Sequence, residues 1–462
     1  MITPVFKGGN RSDVNNYRPI SVLNCISKVI EKLINARLIN YLDKYNILSS
    51  SQYGFRKGLS TEDAILDLTK TIVKDVDKRD KSLAIFLDLK KAFDTVSVPI
   101  LVSRLEDIGI RDTALSLLTS YLQNRTHKVM IGVYRSDEGN VTYGVPQGSV
   151  LGPTLFLIYI NELCNLRSVG GRIISYADDT AIIFKAKSWN DIEKMANRGM
   201  SKVYRWLTDN LLTLNIQKTN YICFSKYQNS QPNPDFAIKI HDCLNLDSIS
   251  CSCPTILKVD RTRYLGVMID QRLSWHTHLE LLMCRMRKLT WIFRTLRHVL
   301  DKKSCTRIYI ALVQSVITYC ISVWGGTDKS SMLSLERAQR SLLKVMHFKP
   351  YRYPTDNLYT CCDVLSIRRL YILHIIIKLH KSLTFNPCLL AKRRKDNAAP
   401  SRIVRSAFAE RQYDSQSSFL YNKANAILNI YPMTSHACKL TLTEWLKKLS
   451  YDEVERLLTR IT

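Results

Sequence analysis

Short apolar runs and helical stripes alternate along this chain, and their spacing predicts a mixed fold. Residues 16–46 read as a helix behind a turn at Tyr17-Arg18-Pro19, with Val22, Ile26, Val29, Ile30, Leu33, Ile34 and Leu38 near helical spacing. A second helix is expected over 61–77. Leu83–Leu89 is apolar apart from one carboxylate near its end, which predicts a buried strand delivering Asp88 to a cleft. Arg172–Phe184 has two apolar arms around Ala177-Asp178-Asp179, the pattern of a hairpin whose tight turn presents adjacent acids. A helix at 97–108, a strand pair around 127–145, a helix from 153 behind Gly152-Pro153 and a long helix over 190–210 complete this part. Strand-like segments at 219–225 and 262–269 flank an irregular stretch, 226–256, that carries Pro232, Pro234 and Pro254. From His276 a stripe of Leu279, Leu282, Met283, Met286, Leu289, Phe293 and Leu296 opens an all-helical region. Further on, Leu370–Leu379 reads as helical core, Lys392–Lys395 as a basic loop and Thr441–Leu458 as a closing helix.

A chain of 462 residues exceeds what one hydrophobic core supports, so two or three subdomains are expected. The net charge of +27 calls for a polyanionic partner, with nucleic acid the first candidate. The surplus is uneven: residues 1–270 carry +8 and residues 271–462 carry +19, which makes the second part the gripping one. Thirteen cysteines without regular spacing and no secretory leader argue for a reducing compartment, cytosol or nucleus. The uncharged stretch Ile308–Thr327 is interrupted by Gln314, Ser315, Thr318 and Ser322, so it reads as a buried helix and no membrane is expected. Cys251/Cys253, His276/His278, Cys361/Cys362 and His436/Cys438 lack zinc-finger spacing, and no structural metal is predicted.

The acids carry the chemistry. An Asp in a turn is common, but a carboxylate in the apolar run 83–89 is costly to bury and calls for a compensating cation. Transfer of a phosphodiester bond uses two Mg²⁺ about 3.5–4 Å apart, held by hard oxygen ligands. Asp88 on a strand and Asp178 on a neighbouring hairpin meet that need.

Phe86-Leu-Asp-Leu-Lys-Lys-Ala-Phe-Asp94, Tyr143-Gly-Val-Pro-Gln-Gly-Ser-Val-Leu-Gly-Pro153 and Tyr176-Ala-Asp-Asp179 resemble, in order, palm motifs A, B and C of non-LTR retrotransposon reverse transcriptases. Asn16-Tyr-Arg-Pro-Ile-Ser21 and Gln52-Tyr-Gly-Phe-Arg-Lys-Gly-Leu-Ser-Thr61 resemble the family's finger motifs. Leu214-Asn-Ile-Gln-Lys-Thr219 resembles motif D, and Arg263-Tyr-Leu-Gly-Val267 the primer grip. The likeness spans residues 3–345; Tyr319–Gly325 and Leu335–Arg340 are similar to arthropod elements such as jockey. The implied fold is α+β, a right-hand polymerase with fingers and an antiparallel palm sheet over 1–270, a helical thumb over 271–345 and a basic, mostly helical region of unknown role over 346–462.

The resemblance implies roles. Asp88, the Leu89 carbonyl, Asp178 and Asp179 would hold two Mg²⁺, with Mn²⁺ a possible substitute. Phe93, five residues after Asp88, would be the steric gate against a ribose 2′-hydroxyl; Gln147 and Gly148 would lie along the incoming deoxynucleotide, and Lys7 and Arg18 over its triphosphate. Lys218 would protonate pyrophosphate. Arg56 and Lys57 would contact template, and Tyr264, Leu265 and Gly266 the primer. In the thumb, Arg285, Arg287, Lys288, Arg294 and Arg297 flank an apolar stripe as phosphate-tracking side chains would, Arg285 and Lys288 foremost. The implied partners are an RNA template, a DNA primer and target, and dNTPs, in a ribonucleoprotein of nucleus and cytoplasm.

Family members of this kind carry an endonuclease before the polymerase, whereas this sequence opens almost at the first finger motif, so a nicking activity is not expected from it. The alternative to an active RNA-directed DNA polymerase is a truncated remnant that only binds nucleic acid. A third reading, an RNA-dependent RNA polymerase, is opposed by Phe93 and by the Tyr176-Ala-Asp-Asp179 form.

Overall fold

The computed structural model describes residues 1–226, 230–241, 252–385, 399–400 and 404–459, which fall into two compact units. One comprises Met1–Ala64, Lys81–Cys223 and Gln231–Val259, and the other Ile65–Asp80, Phe224–Ser230 and Asp260–Thr462. The basic run Lys392–Lys395 and Cys251 lie outside the described residues.

In the first unit β1 (Ile2–Phe6) pairs antiparallel with β2 (Tyr17–Ser21), and helix α1 spans Cys25–Lys44. The helix expected over 16–46 is therefore shorter at its start. Pro19 sits in the β1–β2 pair opposite Pro4, and the Asn24 side chain caps α1 by accepting from the Ile26 amide. The buried face of α1 also differs from the expected stripe. Val22, Ile26, Val29, Ile30 and Leu33 are 52–70% exposed, while Leu38 and Leu42, farther along α1, are buried with Glu31.

Helix α2 (Thr61–Asp77) matches the expected bounds and precedes β3 (Lys81–Leu87). Helices α3 (Val98–Asp107) and α4 (Asp112–Leu122) follow; α4, not among the expected elements, buries Leu118 and Leu122 with Leu115 and Tyr121 packed beside them. The strand pair expected near 127–145 is two short ladders, β4 (Arg125–His127) with β7 (Gly139–Val141) and β5 (Met130–Ile131) with β6 (Tyr134–Arg135). Helix α5 (Gly152–Cys164) is buried on nearly every side from Gly152 to Ile160, as its apolar run Leu155–Ile160 requires.

Strands β8 (Arg172–Tyr176) and β9 (Asp179–Ala186) form the predicted hairpin. Helix α6 (Trp189–Asp209), capped by Ser188, buries Ile192, Ala196, Gly199, Met200, Val203 and Leu207 along one face. With β10 (Asn220–Phe224) and β11 (Leu257–Lys258) the sheet has the order β11-β10-β3-β9-β8. Its central strand β3 is buried from Ser82 to Leu87, which explains an apolar run without alternation.

The second unit, which takes α2 from Ile65 onward, continues with β12 (Arg261–Tyr264) and β13 (Val267–Asp270). The single strand expected over 262–269 is a hairpin, because Leu265 and Gly266 both take positive φ, 45° and 83°. Helix α7 (His276–Leu296) buries Leu279, Leu282, Met286 and Phe293, as its stripe predicted. The stretch Ile308–Thr327 is not one helix. After α8 (Lys302–Tyr309) come a wide π-turn over Ile310–Gln314 and two single turns, α9 (Ser315–Thr318) and α10 (Ile321–Trp324), divided at Cys320, whose φ is 52°. No helix among the described residues is long and apolar enough to cross a membrane.

Helix α11 (Lys329–Met346) packs on α7. Beyond α12 (Thr355–Cys362), α13 (Ile367–Phe385) is the core helix expected at 370–379. It packs against α15 (Tyr413–Leu428) and α16 (Ser435–Lys448), α15 following the single turn α14 (Ala407–Glu410). The closing helix is two helices: α16 ends at Lys448, and Ser450 with Glu453 forms a reciprocal capping box that starts α17 (Tyr451–Leu458).

Candidate active site

The site grows out of the β3–β9–β8 part of the sheet. Register pairs Leu87 with Thr180 and Tyr176 with Asp179, leaving Ala177-Asp178 as a two-residue turn. β3 ends at Leu87 opposite Thr180, so the next residue, Asp88, comes beside the turn end of the hairpin, close enough for its charge to raise the carboxyls of Asp178 and Asp179. The three predicted acids therefore meet in the first unit.

The turn is held in an unfavourable backbone state. Ala177 has φ 56°, a left-handed conformation costing about 1–2 kcal/mol for a residue with a Cβ. Gln52, 1% exposed, offsets it: its Oε1 accepts from the amides of Ala177 (2.9 Å) and Gly54 (2.8 Å). A Cβ on Gly54 would stand 2.4 Å from the Ala177 nitrogen, so only glycine permits this approach. The Tyr53 amide donates to the Ser175 carbonyl (2.8 Å) and the Ser175 amide to that of Ser51 (2.8 Å), which sews the same segment to β8.

Asp88 and Asp178 are half-buried, and Asp179 lies more open. Burial, opposed by the Asp178 amide and by Arg18 and reinforced by Asp88, raises the Asp178 carboxyl. Burial together with Asp178 and Asp88 pushes Asp179 up to about 6. Such mutually opposed, desolvated carboxylates fit a site that takes up positive charge. Among the described residues no group of three or more His, Cys, Asp and Glu side chains is placed to hold a metal ion by itself; the acids here are hard oxygen donors of the kind that take Mg²⁺ together with water and phosphate ligands. The Leu89–Leu214 bridge uses the Asp88 carbonyl and the Lys90 amide, which leaves the Leu89 carbonyl outside it.

Around these acids the other predicted residues take definite places. Phe93 is half-buried, stacked on Phe156 with ring centroids 4.3 Å apart and met edge-on by Phe55 at 6.4 Å. Gln147 donates through Nε2 to Asp94 Oδ1 (2.8 Å), and its carbonyl accepts from Ser21 (2.7 Å). Gly148, φ 104°, passes so near the Ser21 carbonyl that a Cβ would lie 2.9 Å from it. Asp94 is raised by burial and held back by the Gln147 bond, then by Lys91, Lys7 and Arg18, so exposed Lys7 and Arg18 face the same acidic recess.

Lys218 is exposed in the turn before β10. Arg56 donates to the carbonyls of Ser49 (2.8 Å) and Gln52 (3.4 Å), bracing the Gln52 segment, while Lys57 is exposed. Tyr264, Leu265, Gly266, Arg285 and Lys288 belong to the second unit. There the Tyr319 hydroxyl donates to the Leu265 carbonyl (2.7 Å), and Arg285 and Lys288 are exposed on α7. Gln52, Gly54, Asp94 and Asn215 stand inside the sequence motifs, yet the motifs alone assign them no part. Gly54, set between the aromatic Tyr53 and Phe55, is the readable hint.

A mixed sheet with one carboxylate at a strand end and two more at the adjoining hairpin turn, packed on helices, defines the class as a polymerase palm. The chain belongs to the reverse transcriptase (RNA-dependent DNA polymerase) family, which it matches over residues 7–269. It is 27% identical over 405 residues to the probable RNA-directed DNA polymerase from transposon BS of Drosophila melanogaster, covering 86% of this chain and 43% of that protein. To the RNA-directed DNA polymerase from mobile element jockey of Drosophila funebris it is 25% identical over 423 residues, 89% of this chain and 44% of that one. The chain thus spans less than half the length of these relatives, and the likeness to jockey expected from its motifs is borne out. Among solved structures, apo telomerase from Candida tropicalis aligns over 96% of this chain and 67% of its own at 10% identity and a TM-score of 0.41. Enzymes of this family work on a nucleic-acid template with divalent metal ions.

Proposed function

We propose that this chain is the polymerase part of a non-LTR retrotransposon, extending a DNA primer on an RNA template with dNTPs. The observation that supports this is the β3–β9 register, which ends at Leu87 opposite Thr180 and so brings Asp88 beside the Ala177-Asp178-Asp179 hairpin, where the three carboxylates act on one another. Asp88, Asp178 and the Leu89 carbonyl would hold two Mg²⁺, for which Mn²⁺ could substitute, and Asp179 would support them. When bound, the ions supply a lowered pKa for the primer 3′-hydroxyl and neutralise charge on the leaving pyrophosphate.

The chain's own side chains do the rest. The 3′-hydroxyl gives up its proton to water, and its oxygen bonds to the α-phosphorus as the bond to pyrophosphate breaks. Lys218 donates a proton to that leaving group, and Arg18 and Lys7 offset the charge gathering on it. Gln147 and Gly148 line the nucleotide's sugar and base; Phe93, fixed between Phe156 and Phe55, crowds a ribose 2′-hydroxyl. Lys57, with Arg56 behind it, meets the template backbone; Tyr264–Gly266 meet the primer, and Arg285 and Lys288 its phosphates. In this reading residues 1–270 are fingers and palm, 271–345 the thumb and 346–462 an accessory basic region, working as a ribonucleoprotein in cytoplasm and nucleus.

Extension of a labelled DNA primer on an RNA template, with dNTPs or ribonucleotides, tests this. Incorporation of dNTPs alone is expected. Ribonucleotide incorporation would point to an RNA polymerase, and template binding without incorporation to a remnant.

A further inference from the structure

The acid at the end of β3 is gripped at three atoms by one short segment. Asn215 donates from Nδ2 to Asp88 Oδ2 (2.8 Å) and from its backbone amide to the Asp88 carbonyl (2.8 Å). The Asp88 amide donates to Thr219 Oγ1 (3.2 Å), and Thr219 is fully buried. The segment is itself closed, since the amides of Lys218 (3.2 Å) and Thr219 (2.9 Å) both donate to the Asn215 carbonyl. Facing a carboxylate, only the NH₂ end of the Asn215 amide can satisfy this contact, so its orientation is fixed by chemistry.

We infer that Asn215 is a positioning residue for Asp88: by engaging Oδ2 it stops rotation of the carboxylate and leaves Oδ1 as the oxygen presented to a divalent cation. This rests on the reading of Asp88 as a metal-holding acid. The same closed turn carries Lys218, so the acid and the exposed ammonium share one frame. A loose carboxylate must be ordered when a cation arrives, and a charge-assisted hydrogen bond already in place removes that cost. Because side chain, carbonyl and amide of residue 88 are all engaged, the clamp fixes the backbone of the acid as well as its carboxylate.

The test is Mn²⁺ binding to the full chain, followed by electron paramagnetic resonance without nucleotide or template. Wild type, Asp88→Asn and Asn215→Ala are compared, with thermal unfolding of each. Asp88→Asn should weaken binding, and Asn215→Ala should weaken it about tenfold, the scale of one charge-assisted hydrogen bond. In primer extension Asn215→Ala should raise the Mg²⁺ concentration giving half-maximal rate and leave the KM for dNTP at saturating metal unaltered. Should Asn215→Ala unfold early, Asn215→Leu, close in volume and without a donor, carries the comparison. Wild-type-like Mn²⁺ affinity in a folded Asn215 variant overturns the inference while Asp88→Asn remains impaired. Mn²⁺ binding indifferent to Asp88→Asn overturns the reading beneath it as well.

Discussion

Asp178 and Asp179 sit side by side in one turn yet answer differently to their surroundings. Burial raises both, but Arg18 counters the rise at Asp178, whereas Asp179 faces two like charges and reaches about 6. Without cation the Asp179 carboxyl should titrate near pH 6 by carbon-13 NMR, and Asp88→Asn should lower that midpoint. Divalent metal favours the charged form and should also move it down. The sign for activity follows: protons compete with metal, so rate is lost as pH falls through that window. A midpoint at the ordinary 3.8 in the metal-free protein would contradict the geometry. These acids were legible because a carboxylate inside an uninterrupted apolar run is too costly to bury unless a cation or a partner meets it. Gln52 and Asn215 were not: each acts through a hydrogen bond to a residue more than 120 positions away, and nothing local marks it.

At the scale of elements, α1 depends on one buried acid. Glu31, 4% exposed, accepts from the amides of Val150 (2.6 Å) and Leu151 (3.3 Å) at the start of α5, while Asn35 accepts from the Thr154 hydroxyl (2.7 Å). A negative group at a helix N-terminus is favourable, and its loss leaves one buried and one half-buried amide unpaired. Glu31→Leu should lower stability by about 2–4 kcal/mol in urea unfolding, and Glu31→Gln, which keeps an acceptor, by much less. An equal effect of the two would refute this role. The periodicity that predicts α1 does not say which face is covered, so it places Val22, Ile26 and Leu33 in the core whereas the structure leaves them exposed.

In α7 the matching feature is His278, tucked against Trp324 with ring centroids 5.7 Å apart. Burial, assisted by Arg263, holds its imidazole down to about 4 from an ordinary 6.5. The unfolded chain therefore takes up its proton first on acidification. Stability from this histidine is complete above about pH 6.5 and is lost as pH falls toward 4. Urea midpoints at pH 7 and about 4.5 should differ by less in His278→Leu than in wild type. Strand and helix identities around both sites were readable from period and caps. The 265–266 hairpin and the break at Cys320 were not, because non-glycine residues there take positive φ.

For the whole molecule the surplus of basic residues is the governing quantity. With +19 of the +27 charge in residues 271–462, affinity for an RNA–DNA duplex should fall linearly with the logarithm of salt concentration between about 50 and 200 mM. Replacing Arg285 and Lys288 together by Gln should lower the magnitude of that slope by about 2 without changing sequence preference. Charge surplus was visible at once in composition, but where those cations point depended on helices whose packing partners lie far along the chain.

The measurement closest to the central claim is single-turnover dNTP incorporation on an RNA template by wild type, Asp88→Ala and Asp178→Ala at equal primer–template occupancy. Each acid should be worth several kcal/mol of transition-state stabilisation, so both variants should lose about three or more orders of magnitude in rate while holding template as tightly as wild type. Incorporation surviving in Asp178→Ala at a rate near that of the unaltered chain would mean that the hairpin turn is only a turn.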